Sequence, residues 1–584
     1  MMTMNYYKYK FEGSFFTENK QQINKIKVIA RRQTEPVLEG YIYIADDSYA
    51  IYATDLSIKG NQMQTPAIDK LTLKQSYSYN SLNKIWIKNT QTIDFVAGLL
   101  SIKVNGRFTY VYSNFEFEKA FAKKTFTNEI LSFQENANKK EDAFWNTIRP
   151  VPLTEEESTD YAKKDILQTK KKSQKYLDSI DKKHNKFKIM DIVSGYSYAN
   201  SFKKWSLNYD GPIRSIAFNT VQGWRINAGV SFTKRDEDKR TYTKIGSKFD
   251  YGFSEQKIRA TANYVHKFNN TNNSTLSLNG GSMVNQFNAT NPISNIVNSV
   301  STLFFKNNFM KLYEKNFVAA SFGRELINGA YINLNAEYAE RKPLFNTSSQ
   351  SVIKSDALYT SNNPLDPTNE TTAALSKNNL VKTNVGMRFN FGQKYLSRPD
   401  GKFNIPNDDY PSILVGYEKT FAATDKMYEY DFVAARINYD LTLGNKGTLQ
   451  MVLKGGKFFN GNNISFVDYK HFNGNQTIFT LGNFESFRNL EYYTFSTAKD
   501  YLEIHANNSF QKFLLTQITI LRLTGLKENV FANYLNTFGQ GNRYVEVGDG
   551  LTGGSQFLGL GVEVVGSFLN EKYNSTVLRV KIPF

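Results

Sequence analysis

The sequence predicts a mainly β protein: a C-terminal transmembrane antiparallel β-barrel of about 14 to 16 strands, preceded by a small β-rich domain and a helical linker. Three observations predict it. The last stretch, Thr576 to Phe584, sets Leu578, Val580, Ile582 and Phe584 on one parity and Arg579 and Lys581 on the other. Side chains of a strand point alternately to its two faces, so this stretch asks for an apolar medium on one side and water on the other. The same alternation recurs throughout the second half of the chain. Finally, no apolar run approaches the roughly 18 residues of a membrane helix. A mean hydropathy of −0.48 is no obstacle, because a barrel spreads its membrane signal over alternate residues.

Barrel strands are read from about Phe218 onward. Trp224, Ile226, Ala228, Val230 and Phe232 alternate with Arg225, Asn227, Gly229, Ser231 and Thr233. Ile258, Ala260, Ala262 and Tyr264 alternate with Lys257, Arg259, Thr261 and Asn263, and Ile332, Leu334, Ala336 and Tyr338 with Asn333, Asn335 and Glu337. Val433, Ala435, Ile437, Tyr439 and Leu441 alternate with Arg436, Asn438, Asp440 and Thr442, and Gly444-Asn445-Lys446-Gly447 then turns the chain into Leu449, Met451 and Leu453. Leu558, Leu560, Val562 and Val564 complete the set. So many charged and amide residues on one parity would be unsatisfied in a sandwich core. A polar lumen accommodates them. Arg225, Asn227, Arg436, Asn438, Arg579 and Lys581 are therefore the lumen-facing candidates, with Trp224, Ile226, Val230, Ile437, Tyr439, Leu441, Leu578 and Val580 toward lipid. Two long interruptions, Phe345 to Asn378 and Asn460 to Gln476, are read as loops, and the Asn-, Ser- and Thr-rich stretch from Asn346 to Thr372 suits the external side.

Residues 1–120 read as a periplasmic β-rich domain with short strands at Ile26 to Ala30, Tyr41 to Ile44, Ile85 to Ile87 and Ile102 to Val111, separated by turn residues such as Asp46-Asp47-Ser48. Their order resembles a curved half-barrel of the lipoprotein-carrier type. Residues 121–195 read as a basic helical linker, and residues 196–584 as the barrel. Thr154 and Glu157 form a capping box at the head of a helix whose first turn is acidic. Helices are expected at Tyr161 to Lys172 and Ser173 to Asp181.

The run from Phe144 to Glu157, the stretches Tyr176 to Lys183 and Asn185 to Phe187, the segment Arg31 to Asp55 with Pro36-Val37 and Gly40 to Ser48, and Phe218 to Gly223 resemble an uncharacterised family of outer-membrane proteins. Members usually carry an N-terminal carboxypeptidase regulatory-like sandwich, which this chain lacks. The resemblance implies architecture and an outer-membrane location in a Gram-negative bacterium, without an activity. The residues from Leu481 to Leu490, followed by Asp500 to Ile504, are similar in layout to BamA/TamA-type barrels, which fold an arginine-bearing loop into the lumen. Arg488 is the inward-loop candidate. The glycine that the type places after it is Asn489 here.

No basic region followed by an apolar core opens the chain, so an exported protein implies a missing leader and a lost N-terminus. The 45 Phe and 36 Tyr suit aromatic girdles at a membrane interface. With no Cys, thiolate metal sites, disulfides and cysteine catalysis are excluded. The four His, at 184, 266, 471 and 505, show no zinc-binding spacing. No nucleophile elbow, phosphate loop or dinucleotide fingerprint occurs, so no cofactor, no metal and no enzyme activity are expected. The formal charge of +18 fits anionic membrane lipid, including lipopolysaccharide, and ten Lys against three Asp between Lys163 and Lys188 place much of it on the linker. No nucleic-acid partner is expected.

Three functions compete at this level. A membrane machine would insert, translocate or assemble a periplasmic protein or lipoprotein client through a monomeric barrel. A porin-like channel would favour anions through its lumen arginines. A hydrolase at the barrel rim would use His266 or His505.

Overall fold

The computed structural model describes the chain apart from residues 1–2, 33–34, 64–66, 100–101, 124, 138–139, 150–151, 354–355, 407–408, 482–483, 511, 519–520, 522–525, 554–559 and 583–584. Phe584, Leu558, Gly482, Asn483, Pro150 and Val151 of the sequence reading thus lie outside the described residues. The chain forms two compact units, Met1–Phe126 with Lys139–Tyr161, and Thr127–Asn138 with Ala162–Phe584.

After a short helix α1 (Thr3–Tyr6), the first unit is one antiparallel sheet of seven strands in chain order: β1 (Tyr7–Phe16), β2 (Gln22–Ala30), β3 (Glu39–Ala45), β4 (Ile51–Lys59), β5 (Ile68–Asn80), β6 (Ile85–Leu99) and β7 (Ile102–Val111). Its register sorts the side chains by face. One row across the sheet reads Tyr9, Val28, Gly40, Leu56, Leu73, Ile93, Phe108. The next row, on the opposite face, reads Lys10, Lys27, Tyr41, Asp55, Lys74, Thr92, Thr109. Period-two patterning therefore gives the sheet one apolar and one basic polar face. At Gly40 the backbone has φ 145°, and an added Cβ would lie 2.1 Å from the Asp55 carbonyl oxygen, so the bend of β3 requires glycine. The unit also contains α2 (Asp142–Ile148).

The chain continues through a short strand β8 (Glu129–Ser132) and the helices α3 (Glu155–Lys172), α4 (Gln174–His184) and α5 (Asp191–Ser194). The capping box is formed reciprocally: the Thr154 amide donates to Glu157 Oε2 at 2.9 Å and the Glu157 amide donates to Thr154 Oγ1 at 3.2 Å. The helix starts at Glu155, directly after the cap, and runs through the stretch before Tyr161. The linker stretch is not wholly helical. β8 pairs in parallel with β19 (Tyr395–Arg398), which pairs with β20 (Gly401–Asn404) in a turn of the second unit.

The second unit is the barrel. A short strand β9 (Tyr196–Asn200) leads into β10 (Trp205–Asp210) and β11 (Ala217–Asn219), which follow one another along β12 (Gly223–Asp236). The wall continues as β13 (Thr241–Gly252), β14 (Lys257–Lys267), β15 (Thr275–Gln286), β16 (Leu312–Ile327), β17 (Ala330–Pro343), β18 (Asn378–Asn390), β21 (Ser412–Phe421), β22 (Asp431–Thr442) and β23 (Thr448–Phe459). It ends with β25 (Tyr501–Phe510), β26 (Lys527–Thr537), β27 (Asn542–Thr552), β28 (Gly561–Leu569) and β29 (Lys572–Ile582), while the short β24 (Phe479–Leu481) lies in the loop before β25. The strands close into a barrel. With β10 and β11 counted as one stave, and β9 and β24 as short additions, the wall among the described residues has sixteen staves.

The wall is apolar outside. A single register row carries Phe232, Ile245, Tyr264, Leu278, Ala320 and Ala336 across six adjacent strands. Ile258 and Val318 are 69% and 67% exposed, and Trp224, Val433 and Leu578 are also exposed. A closed wall with apolar side chains turned outward on strand after strand is the surface of a membrane-spanning barrel, since water would oppose that exposure and lipid does not.

Candidate functional site in the barrel lumen

The segment from Asn460 to Asp500, between β23 and β25, folds into the barrel. It begins and ends at the barrel end where β23 finishes, here the upper end. Midway, its strand β24 pairs in parallel with Val580, Lys581 and Ile582 at the opposite, lower end of β29. The loop therefore runs nearly the length of the lumen. Apolar residues hold it there: Phe472, Phe487, Leu490 and Phe495 form one buried cluster with Tyr501, Leu535 and Tyr544 of the wall. Phe466 and Val467 join Phe287, Tyr313 and Leu375 in another. Asn460 to Gln476 interrupts the strands as the sequence suggests, and it is the first part of this inserted loop, because its aromatic residues find apolar partners inside.

Charged residues along the loop meet wall residues of opposite sign, and Asp468, Glu485 and Arg488 do so most closely. Asp468 pairs with Arg341, with Lys382 at 3.0 Å, and with the Tyr430 hydroxyl at 3.5 Å. Glu485 accepts from Arg436 at 2.6 Å and Lys454 at 2.9 Å. Arg488, only 3% exposed, lies 3.4 Å from Glu563 and 4.7 Å above the Phe531 ring, and its Nη1 donates to the carbonyls of Phe484 and Ser486. The Arg488 and Asn489 amides donate to the two oxygens of Glu546 at 2.8 and 2.7 Å. The wall is thus cationic where the loop is acidic, on β17, β18, β22 and β23, and acidic where the loop is basic, on β27 and β28 around Arg488 and on β25, where Glu503 lies 4.0 Å from Lys470. Sliding or reversing the loop would leave buried charges unpaired, which costs several kcal/mol for each.

The sequence-predicted residues are distributed as follows. Arg488 sits inside the lumen, surrounded by β26 to β29. Arg579 donates to the Arg488 carbonyl at 2.7 Å, and Lys581 lies 3.9 Å from Glu563 Oε1, so these two join the Arg488 cluster. Arg436 and Asn438 bond to each other at 2.6 Å and belong to the Glu485 cluster. Arg225 pairs with Asp250 at 3.4 Å, and it lines a separate cavity with Asn227. Asn489, where the type has glycine, donates to Ser567 and Ser575 at 2.9 and 2.7 Å and so ties the loop to β28 and β29. Glu546, Glu563 and Asp468 are the partners missing from the sequence reading. Glu563 between Val562 and Val564 carried the same alternation signal as the arginines; Asp468 carried none.

Of the two histidines considered for rim chemistry, His266 contacts Thr243 Oγ1 at 2.8 Å. His505 is fully buried between Glu503 and Asn533, at 2.7 and 2.9 Å. A serine meets a histidine elsewhere, at Ser496 and His471, 2.7 Å apart, but His471 Nε2 has no partner to orient it.

Beside the loop, part of the lumen is open. The inner row Thr275, Gly323, Asn333, Gly386, Gly416, Ala434 carries small side chains across β15 to β22 and borders a vestibule of about 730 Å³ with Arg388 and Glu418.

A profile described as the C-terminal domain of a family of unknown function, DUF5686, matches residues 190–551, and one described as the DUF5686 family of unknown function matches residues 2–115. The chain belongs to the DUF5686 family. Among solved structures, this DUF5686 protein is similar to BamA from Haemophilus ducreyi lacking POTRA domains 1-3, at 10% identity over 87% of this chain and 90% of that one, with a TM-score of 0.34. It is also similar to CdiB from Acinetobacter baumannii, at 8% identity over 61% of this chain and 56% of that one, TM-score 0.30. A mutant porin from Rh. blastica shares 12% identity over 61% of the DUF5686 chain and 88% of its own length, TM-score 0.25. No curated protein matches.

Proposed function

We propose that this protein is an outer-membrane barrel that inserts, translocates or assembles a client delivered from the periplasm, and that it is not an enzyme. The observation that supports this reading is the loop from Asn460 to Asp500, which fills one side of the lumen and is held by matched charges centred on Arg488. A passive pore has no need of such a plug. The loop also reaches the barrel's seam. Val580 and Lys581 of β29 pair with β28 on one edge, so β24 occupies the other edge, the side on which β9 closes the barrel. A loop that occupies both lumen and seam can couple what happens in one to the opening of the other. The long connections at the upper end correspond to the external side, as bacterial barrels keep their short turns toward the periplasm. The first unit, with its apolar face, is the part suited to receive a client.

Function, or assembly of the barrel itself, should therefore depend on Arg488 more than on Arg225. Arg488→Ala should impair a growth or assembly assay at matched expression, with the leader needed for export supplied, whereas Arg225→Ala should leave it near normal. Arg488→Lys should rescue poorly, because a point charge cannot reproduce the planar fork. Wild-type behaviour of Arg488→Ala would refute the machine.

A second reading, an anion-favouring channel, is supported by the open vestibule beside the loop with Arg388 on its wall. Under it, purified barrel in a planar bilayer carries a large steady current whose ion preference shifts with Arg388→Ala. Under the machine reading the current is small or flickering and rises when Arg488→Ala loosens the loop.

A further inference from the structure

The upper end of the barrel is closed by three connections that pack on one another: the segment 287–311 with its helix α6 (Asn295–Phe305), the segment 344–377, and the inserted loop. Where they meet is a cavity of about 500 Å³, large enough for one or two sugar rings. Lys311 and Asn308 line it and are 6% and 3% exposed. The Lys311 ammonium donates to Thr360 Oγ1 at 2.8 Å and to the Ser361 carbonyl at 2.6 Å, both neutral, and no carboxylate pairs with it among the described residues. This contrasts with Arg341, Arg436 and Arg488, each of which has an acid. Asn308 spends its amide hydrogens on the Thr360 carbonyl and Asn346, but its Oδ1 has no partner, nor has the hydroxyl of Tyr493, which also lines the cavity. Tyr493 is held at φ 67°, a left-handed conformation rare for a bulky side chain and characteristic of ligand clamps. Tyr492 and Phe309 add an aromatic wall, their ring centroids 5.7 Å apart.

The geometry points to a binding site for an acidic saccharide in this cap. A buried cation without an acid supplies the place for a carboxylate or phosphate on the ligand. The unpartnered Asn308 oxygen and Tyr493 hydroxyl match sugar hydroxyls, and the aromatic wall matches the C–H face of a pyranose ring. Glu491 lines the same cavity and opposes an acid there. The ligand's chemistry is shared by two sources, a free uronic acid or sugar phosphate and the phosphorylated sugar headgroup of lipopolysaccharide.

The site is tested on the full chain in detergent, by titration calorimetry with glucuronic acid and glucose 1-phosphate, with glucose as the uncharged control. The acids should bind saturably and glucose should not. Lys311→Met should weaken acid binding about tenfold or more, the worth of a charged hydrogen bond. Glu491→Gln should strengthen it about threefold by removing a partly exposed like charge. That gain cannot come from a damaged fold, so it decides the matter even if Lys311→Met folds poorly. Displacement of bound glucose 1-phosphate by lipopolysaccharide micelles at far lower sugar concentration than by the deacylated saccharide assigns the headgroup; displacement by both at equal concentration assigns a soluble glycan. Equal binding of glucose and glucuronic acid, no binding of either acid, or affinity unmoved by both substitutions would overturn the site.

Discussion

Lys311 carries a charge that its surroundings do not balance, and burial pulls its pKa from the ordinary 10.5 down to about 7. Between those values an unfolded cap binds more protons than the folded one, so the cap should gain stability as pH rises from about 7 toward 10.5, and the full penalty is present below 7. Lys306 and Glu491 are the other charged groups on that cavity. Thermal melting at pH 6.5 and 9 checks the sign, and Lys311→Met should abolish the difference. Outside the lumen, single residues answer to lipid. Ile437→Arg should cost roughly 2 to 4 kcal/mol near the bilayer midplane and hinder assembly. Its partner in the test is an inward residue. Asn438 is a poor choice, because it accepts from Arg436 at 2.6 Å and an arginine there would repel. Gly416 faces the open vestibule, with nothing within 4 Å of an added Cβ, so Gly416→Arg should assemble normally. Equal yields of the two arginine variants in membranes would mean that the outer face has no lipid against it.

At the scale of elements, two connections decide how the chain enters the barrel and what stays inside it. Helix α4 is latched to the first hairpin. Asp181 accepts from the Ser201 amide and hydroxyl at 2.7 and 2.6 Å, and Asn185 exchanges bonds with both backbone groups of Ala199 at 2.7 and 2.9 Å. Asp181→Ala leaves the Ser201 amide of the β9–β10 turn unpaired and should cost about 1 to 3 kcal/mol locally. Faster hydrogen exchange at residues 199–203, with the rest of the barrel unchanged, is the expected reading. The inserted loop is held by charge as well as by apolar packing. Removing Arg488 leaves Glu563 with Lys581 alone, 3.9 Å away, whereas Asp468→Asn leaves Arg341 without its acid and Lys382 with only Glu418, at 3.3 Å. Either change should raise protease sensitivity between Asn460 and Asp500 in the folded barrel, and the double variant should add little to the worse single one if the loop leaves as a unit.

For the whole molecule, closure is the property that matters. A barrel whose strands all find neighbours has no free edge to begin unfolding, so in detergent the chain should migrate as a compact species until boiled. β24 makes the seam of this barrel unusual: at the lower end of β29 the adjoining strand comes from inside the lumen. Cysteines at Phe479 and Val580, opposite one another in register, should cross-link on oxidation and lock loop to seam. If the machine reading holds, the locked protein should assemble and yet fail in the growth assay, with reduction restoring it. A locked protein as active as wild type would show that the loop never leaves the seam.

The alternation in Trp224 to Phe232, Val433 to Thr442 and Thr576 to Lys581 determined the barrel and its inside and outside, because a strand in a membrane has only that two-residue period with which to satisfy lipid and water at once. The capping box at Thr154 and Glu157 was legible for a similar reason, being complete within four neighbouring residues. Only the tertiary structure decided that Asn460 to Asp500 turns inward, that Arg488 meets Glu546 and Glu563 on strands more than fifty residues away, and that Asp468 closes on Arg341 across the lumen. An irregular loop has no period, and a buried charge is paid for by partners whose distance along the chain is arbitrary. Their meeting depends on closure of the wall around them.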